Sequence, residues 1–91
     1  MRQAILRGDT LDSMAAVHEV LRRELAFPDY YGGNLDALAD CLTEGTEETE
    51  ITILGAALLR ERLGETAVNR LLRVLHRCAE ENPGLHLKIC L

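Results

Sequence analysis

Asp36 and Asp40 stand four residues apart, and Glu44 continues the same spacing. On a helix such residues share one face. Clustered carboxylates do one of two kinds of chemistry. If one is desolvated so that its pKa rises, the pair works as general acid and base; if all stay ionised, they receive a partner's Arg, Lys or His. The apolar stripe Leu35, Leu38 and Leu42 claims the inward face of this helix, so the acids are expected in solvent on a convex surface, and recognition is favoured over catalysis. Like charges at this spacing cost an isolated helix about 0.2–0.5 kcal/mol per pair. Asp36 recovers roughly 0.3–1 kcal/mol from the helix dipole, while Asp40 lies beyond the first turn and gains little. A row that costs stability without local return points to function, against the ordinary alternative of a solvated helix face. Just ahead lie Tyr30 and Tyr31, which with Phe27 are all the aromatics in the chain. A tyrosine suits an interface anchor, having a rigid apolar body and a polar tip; the alternative is that one or both rings plug the core beside Phe27.

Other chemistry finds little footing. His76 and Cys78, two apart on a helix, face different ways, and no Cys-x-x-Cys or spaced histidine pair accompanies them, so no metal site is expected. His18, on a polar flank of its helix, and His86, on the outer face of a strand, are read as surface histidines. Cys41 and Cys78 read as small hydrophobes of helix inner flanks. Three cysteines, Cys41, Cys78 and Cys90, form no disulfide framework and imply free thiols in a reducing compartment. With neither a P-loop nor a Gly-x-Gly-x-x-Gly run, no nucleotide or other cofactor is expected, and no residue is assigned a catalytic role.

The elements that position the acidic row can be read in order. Ala4-Ile5-Leu6, stopped by Gly8-Asp9, predicts a short buried strand. Asp12 or Ser13 caps a helix whose face is Met14, Val17, Leu21 and Leu25, ended by Phe27-Pro28. After the Tyr30-Tyr31-Gly32-Gly33 turn, Asn34 caps the acidic helix, which runs to about Thr43. An acidic loop from Glu44 to Glu50 leads to a strand at Ile51–Leu54, stopped by Gly55. A short helix spans Ala56–Leu63 with Gly64 behind it, and Thr66 caps a longer one bearing Val68, Leu71, Leu72, Leu75 and Ala79. Leu85–Leu91 alternates as a last strand. Strands separated by helical segments of this length pair in parallel through right-handed crossovers. The expected fold class is therefore α/β: a small three-stranded parallel sheet packed with about four helices.

At 91 residues one domain is expected, spanning 1–91. No apolar run is long enough to span a membrane and no secretory leader opens the chain, so a cytoplasmic product is expected. The formal charge is −5, which argues against a nucleic acid ligand and allows a basic protein partner. That charge is segregated. Between Glu24 and Leu59 there is no Lys, Arg or His, and the stretch carries a local charge of −8, leaving the rest of the chain at +3.

The run Pro28-Asp29-Tyr30-Tyr31-Gly32-Gly33-Asn34-Leu35-Asp36-Ala37-Leu38-Ala39-Asp40-Cys41-Leu42 closely resembles the segment that marks the barstar family, intracellular inhibitors of secreted bacterial ribonucleases. Weaker similarity extends over the whole chain. The resemblance implies a three-stranded parallel sheet with helices, and a 1:1 complex of a free monomer with a basic ribonuclease. It further implies that Asp40 takes the centre of the enzyme's cationic cluster and that Asp36 assists beside it. Tyr30 and Tyr31 then give flat contact at the turn, Gly32, Asn34 and Leu35 shape the approach, and Thr43 and Glu47 lie on the rim. This chain departs from the pattern at three positions. Ala39 and Gly45 stand where the best-known member has tryptophans, and Arg77 replaces an interface glutamate. These departures motivate an alternative, an acidic module that binds or neutralises a different basic protein. A third reading, a small hydrolase using Asp36 and Asp40, requires a concave pocket around both.

Overall fold

The computed structural model describes residues 1–44 and 47–91. Its elements run β1 (Arg2–Arg7), α1 (Met14–Glu24), α2 (Leu35–Glu44), β2 (Thr49–Leu54), α3 (Ala56–Leu63), α4 (Glu65–Glu81) and β3 (Leu85–Ile89). The three strands form one parallel sheet in the order β1-β2-β3, with rows such as Ala4–Ile51–Leu87 and Leu6–Ile53–Ile89 in register. This is the α/β architecture expected from the spacing of strands and helices.

Side chains alternate across a strand, and in all three strands the more buried set falls on one face: Ala4 and Leu6, Thr49, Ile51 and Ile53, and Leu85. That face meets the apolar stripes of the helices, with Leu21, Leu38, Leu42, Leu59, Leu71 and Leu75 fully enclosed. The other face is more open, and Ile5 on it is 44 % exposed. The expectation of a buried first strand is thus corrected. β1 is an edge strand with one covered face, and apolar Ile5 lies on the uncovered side.

Ser13 is the cap chosen at α1, its Oγ accepting from the Ala16 amide at 3.1 Å. At α4 the expected Thr66 cap is replaced by Gly64, whose backbone serves both helices: its amide donates to Arg60 O at the end of α3, and its carbonyl accepts from Val68 in α4. The left-handed half of backbone space (φ 95°) reverses the chain there in one residue. Gly8 has a different constraint. A Cβ at this position would overlap the Gly55 carbonyl oxygen and press on the Leu59 amide, so β1 can leave the sheet beside α3 only through glycine.

Candidate functional site

The acidic helix is built from both ends. At its N-terminus the Asn34 side chain accepts from the Ala37 amide at 2.8 Å, satisfying one of the unpaired donors of the first turn. On its inner side Leu38 and Leu42 are buried, and Leu35 and Ala39 pack partly against the same core. At its C-terminal end Asn82 Nδ2 donates to Leu42 O at 2.8 Å, tying α2 to the end of α4. Asp36, Asp40, Thr43 and Glu44 are left exposed. Among the described residues none of the three acids has an ion-pair partner. Thr43 turns its hydroxyl back to Ala39 O at 2.8 Å.

The turn ahead of α2 starts from an unusual helix end. Ala26 holds φ 55°, a left-handed conformation normally taken by glycine, and the Phe27 amide reaches back to Arg22 O at 2.9 Å. This closure turns Phe27 into the core and sends Pro28–Tyr31 into a tight turn, with the Tyr31 amide on Pro28 O at 3.0 Å. The two tyrosines then separate. Tyr30 is 87 % exposed. Tyr31 is half-buried, its ring 5.0 Å from that of Phe27 and 5.8 Å from that of His18 between centroids, with its hydroxyl 2.6 Å from His18 Nδ1. Burial, with Cys41 as a lesser influence, pushes the Tyr31 phenol up to about 12.

His18 corrects the surface reading: it is 7 % exposed, and burial lowers its pKa. The signal was present in the sequence, since Met14, His18, Leu21 and Leu25 recur at the same three- and four-residue spacing as the apolar stripe. His86 does lie at the surface, 2.8 Å from Glu48.

Between the turn and α2 lies a concavity of about 530 Å³, bordered by Arg2, Phe27, Tyr30, Tyr31, Asp40, Cys41 and Glu44 among others. The expected convex surface is therefore corrected on one side of the helix. Asp40 and Glu44 border a hollow, and Asp36 does not. Burial raises the Cys41 thiol, and the carboxylates of Glu44 and Asp40 add to the effect. Arg2, which local patterning missed, also lines the hollow. Its guanidinium donates to Leu25 O (3.0 Å) and Thr49 Oγ1 (3.1 Å), its Nε lies 3.6 Å from Glu47 Oε2, and that Nε is buried without a hydrogen bond. It thereby joins the end of α1, β1 and the start of β2. Position 2 shares the parity of Ala4 and Leu6, which places its side chain on the covered face and could have flagged it.

Gly32 is exposed beside the Asn34 cap, Glu47 is exposed near Arg2, and Gly45 lies outside the described residues. Arg77 is exposed on α4. The three cysteines are free thiols, with Cys78 buried, Cys41 half-buried and Cys90 exposed. Among the described residues no cluster of His, Cys, Asp and Glu is arranged to hold a metal, and no helix is long and apolar enough to cross a membrane.

Comparison with known proteins decides the family. Residues 1–91 match the family model described as "Barstar (barnase inhibitor)". The chain belongs to the barstar family. Within curated proteins, this barstar-family chain is 51 % identical over 43 residues to the Bacillus subtilis (strain 168) protein named "Putative ribonuclease inhibitor YrdF", and the match spans 47 % of each protein.

Proposed function

We propose that this chain is an inhibitor of a basic microbial ribonuclease, not an enzyme, and that it closes the enzyme's active site in a 1:1 complex without a cofactor. One observation carries the reading: a barstar-family chain presents Asp36, Asp40 and Glu44 in solvent with no described cation to neutralise them. A ribonuclease holds Arg, Lys and His to bind phosphate and protonate a leaving group. Carboxylates at helical spacing occupy those positions through charge-assisted hydrogen bonds, bidentate where the donor is Arg.

In this reading Asp40 is central because it stands in the middle of the acid row, between Asp36 and Glu44, and also borders the hollow. The hollow offers aromatic faces at Tyr30, Tyr31 and Phe27 beside the carboxylates of Asp40 and Glu44, a setting for one planar cationic side chain of the enzyme. Asp36 pairs beside it. Tyr30 gives the flat contact, Tyr31 forms a wall, Gly32, Asn34 and Leu35 shape the approach, and Thr43 and Glu47 stand at the rim. Ala39, Gly45 and Arg77 set the choice of partner, since two missing rings and one reversed charge favour an enzyme with a differently shaped rim. The same three residues favour the second reading, in which the target is another basic protein.

The test is a ribonuclease assay with a basic bacterial enzyme, with and without this protein, at low and high salt. Stoichiometric inhibition is expected, with an association rate that falls steeply as salt rises. Absence of inhibition across a panel of basic ribonucleases, together with recovery of a non-nuclease in a pull-down from the native host, would replace this reading with the second.

A further inference from the structure

Tyr31 is the residue through which the turn is held. Among the described residues, the stretch 28–33 makes two hydrogen bonds, and Tyr31 supplies a donor or acceptor to both: its amide to Pro28 O, and its hydroxyl with His18 Nδ1. The first is local to the turn. Only the second anchors the turn to another element, because His18 belongs to α1 and is enclosed there. Tyr30, one residue before, has 87 % of its surface free.

We propose that His18 is a positioning residue of the binding face, fixing the turn through the Tyr31 hydroxyl and so orienting Tyr30 and the wall of the hollow. We assign the ring its neutral form with the proton on Nε2, so that Nδ1 accepts from the phenol; in the other tautomer Nδ1 would donate to the phenol oxygen. Burial works in the same direction by disfavouring the imidazolium. If the ring is protonated, Nδ1 can only donate. The phenol must then reverse its role, and its own proton loses its acceptor. The charged and titratable groups around the ring are Glu19 and Arg22 of α1, which bond to each other, and Tyr31 from the turn. Cys41 of α2 acts on the far side of Tyr31. No described carboxylate forms an ion pair with His18 that would hold the imidazolium in place.

The part of this proposal that concerns binding rests on the ribonuclease reading; the part that concerns the turn does not. The test compares wild type with His18→Leu, which removes the acceptor, and His18→Asn, whose Oδ1 lies near the place of Nδ1. Tyr31→Phe removes the hydroxyl and keeps the ring, and serves if His18→Leu does not fold. Amide hydrogen exchange is measured on the free protein, and dissociation from a basic ribonuclease is followed across pH. Losing one net hydrogen bond should speed exchange of the Tyr31 amide roughly three- to tenfold, with β2 amides unchanged, and should raise the dissociation rate by a similar factor. His18→Asn should restore both. The wild-type dissociation rate should climb more steeply on acidification than that of His18→Leu, which keeps only the titration of the interface carboxylates and the enzyme's own histidines. A uniform rise in exchange across β2, or an unchanged turn, would overturn the proposal, as would an unchanged dissociation rate in His18→Leu. Should the wild type bind no ribonuclease while the exchange pattern holds, the ribonuclease reading fails and the positioning role stands.

Discussion

Replacing Asp40 by alanine should make this protein more stable and a worse ligand at the same time. Asp40 is exposed, forms no ion pair with a described residue, and lies four residues from both Asp36 and Glu44. Its removal deletes two like-charge pairs, worth together about 0.4–1 kcal/mol. Exchange of aspartate for alanine inside a helix adds roughly 0.5 kcal/mol of intrinsic preference. The sum is near 1 kcal/mol, which for a chain of this size raises the midpoint of thermal unfolding by about 4–8 °C. At high salt the repulsive part is screened and the propensity part is not, so about half of the gain should persist. In the proposed complex with a ribonuclease the opposite is expected. Removing one partner of a desolvated charge pair costs roughly 2–5 kcal/mol, or about thirtyfold to several-thousandfold in affinity. Calorimetric unfolding at two salt concentrations and titration against the ribonuclease measure both arms. A lower midpoint in Asp40→Ala would show that the side chain stabilises the fold, and undiminished affinity would remove it from the centre of the interface.

Three further outcomes follow from local geometry. Gly8→Ala should cost about 1–3 kcal/mol, because the new methyl meets backbone of Gly55 and Leu59 that has no room to yield; a lower denaturant midpoint at unchanged m-value would report it. Ala26→Gly should stabilise by about 0.5–1 kcal/mol, since φ 55° strains any side chain at this helix end, and urea unfolding tests the sign. The pH dependence of stability should fall at both ends. His18 titrates below 6.5 in the folded state, so the unfolded chain binds its proton first and stability is lost as pH drops from 6.5 towards the depressed folded value; His18→Asn should remove that limb. Tyr31 titrates at about 12 when folded against 10.0 unfolded, so the unfolded chain ionises first and stability declines as pH rises from 10 to 12, an effect absent in Tyr31→Phe. Thermal unfolding followed across pH measures both windows.

The acid row, the Asn34 cap, the Leu35, Leu38 and Leu42 stripe and the order of strands and helices were all legible in the sequence. Each follows from a repeat a few residues long or from a residue with one dominant backbone role, and such signals survive whatever the rest of the chain does. Connections too long for hairpins then required a parallel sheet. The separation of Tyr30 from Tyr31 was not legible, because two adjacent tyrosines in a turn carry the same local signal. Tertiary structure decided it: Phe27 and His18 offered one ring a pocket and a hydrogen-bond partner, and the other ring had neither. Arg2 is the same case at longer range. Its role at the hollow depends on Leu25 and Thr49, 23 and 47 residues away, which meet it only when β1 pairs with β2 beside the end of α1. Periodicity states which side of an element is covered. What covers it is fixed when the elements pack, and that packing made the hollow beside Asp40.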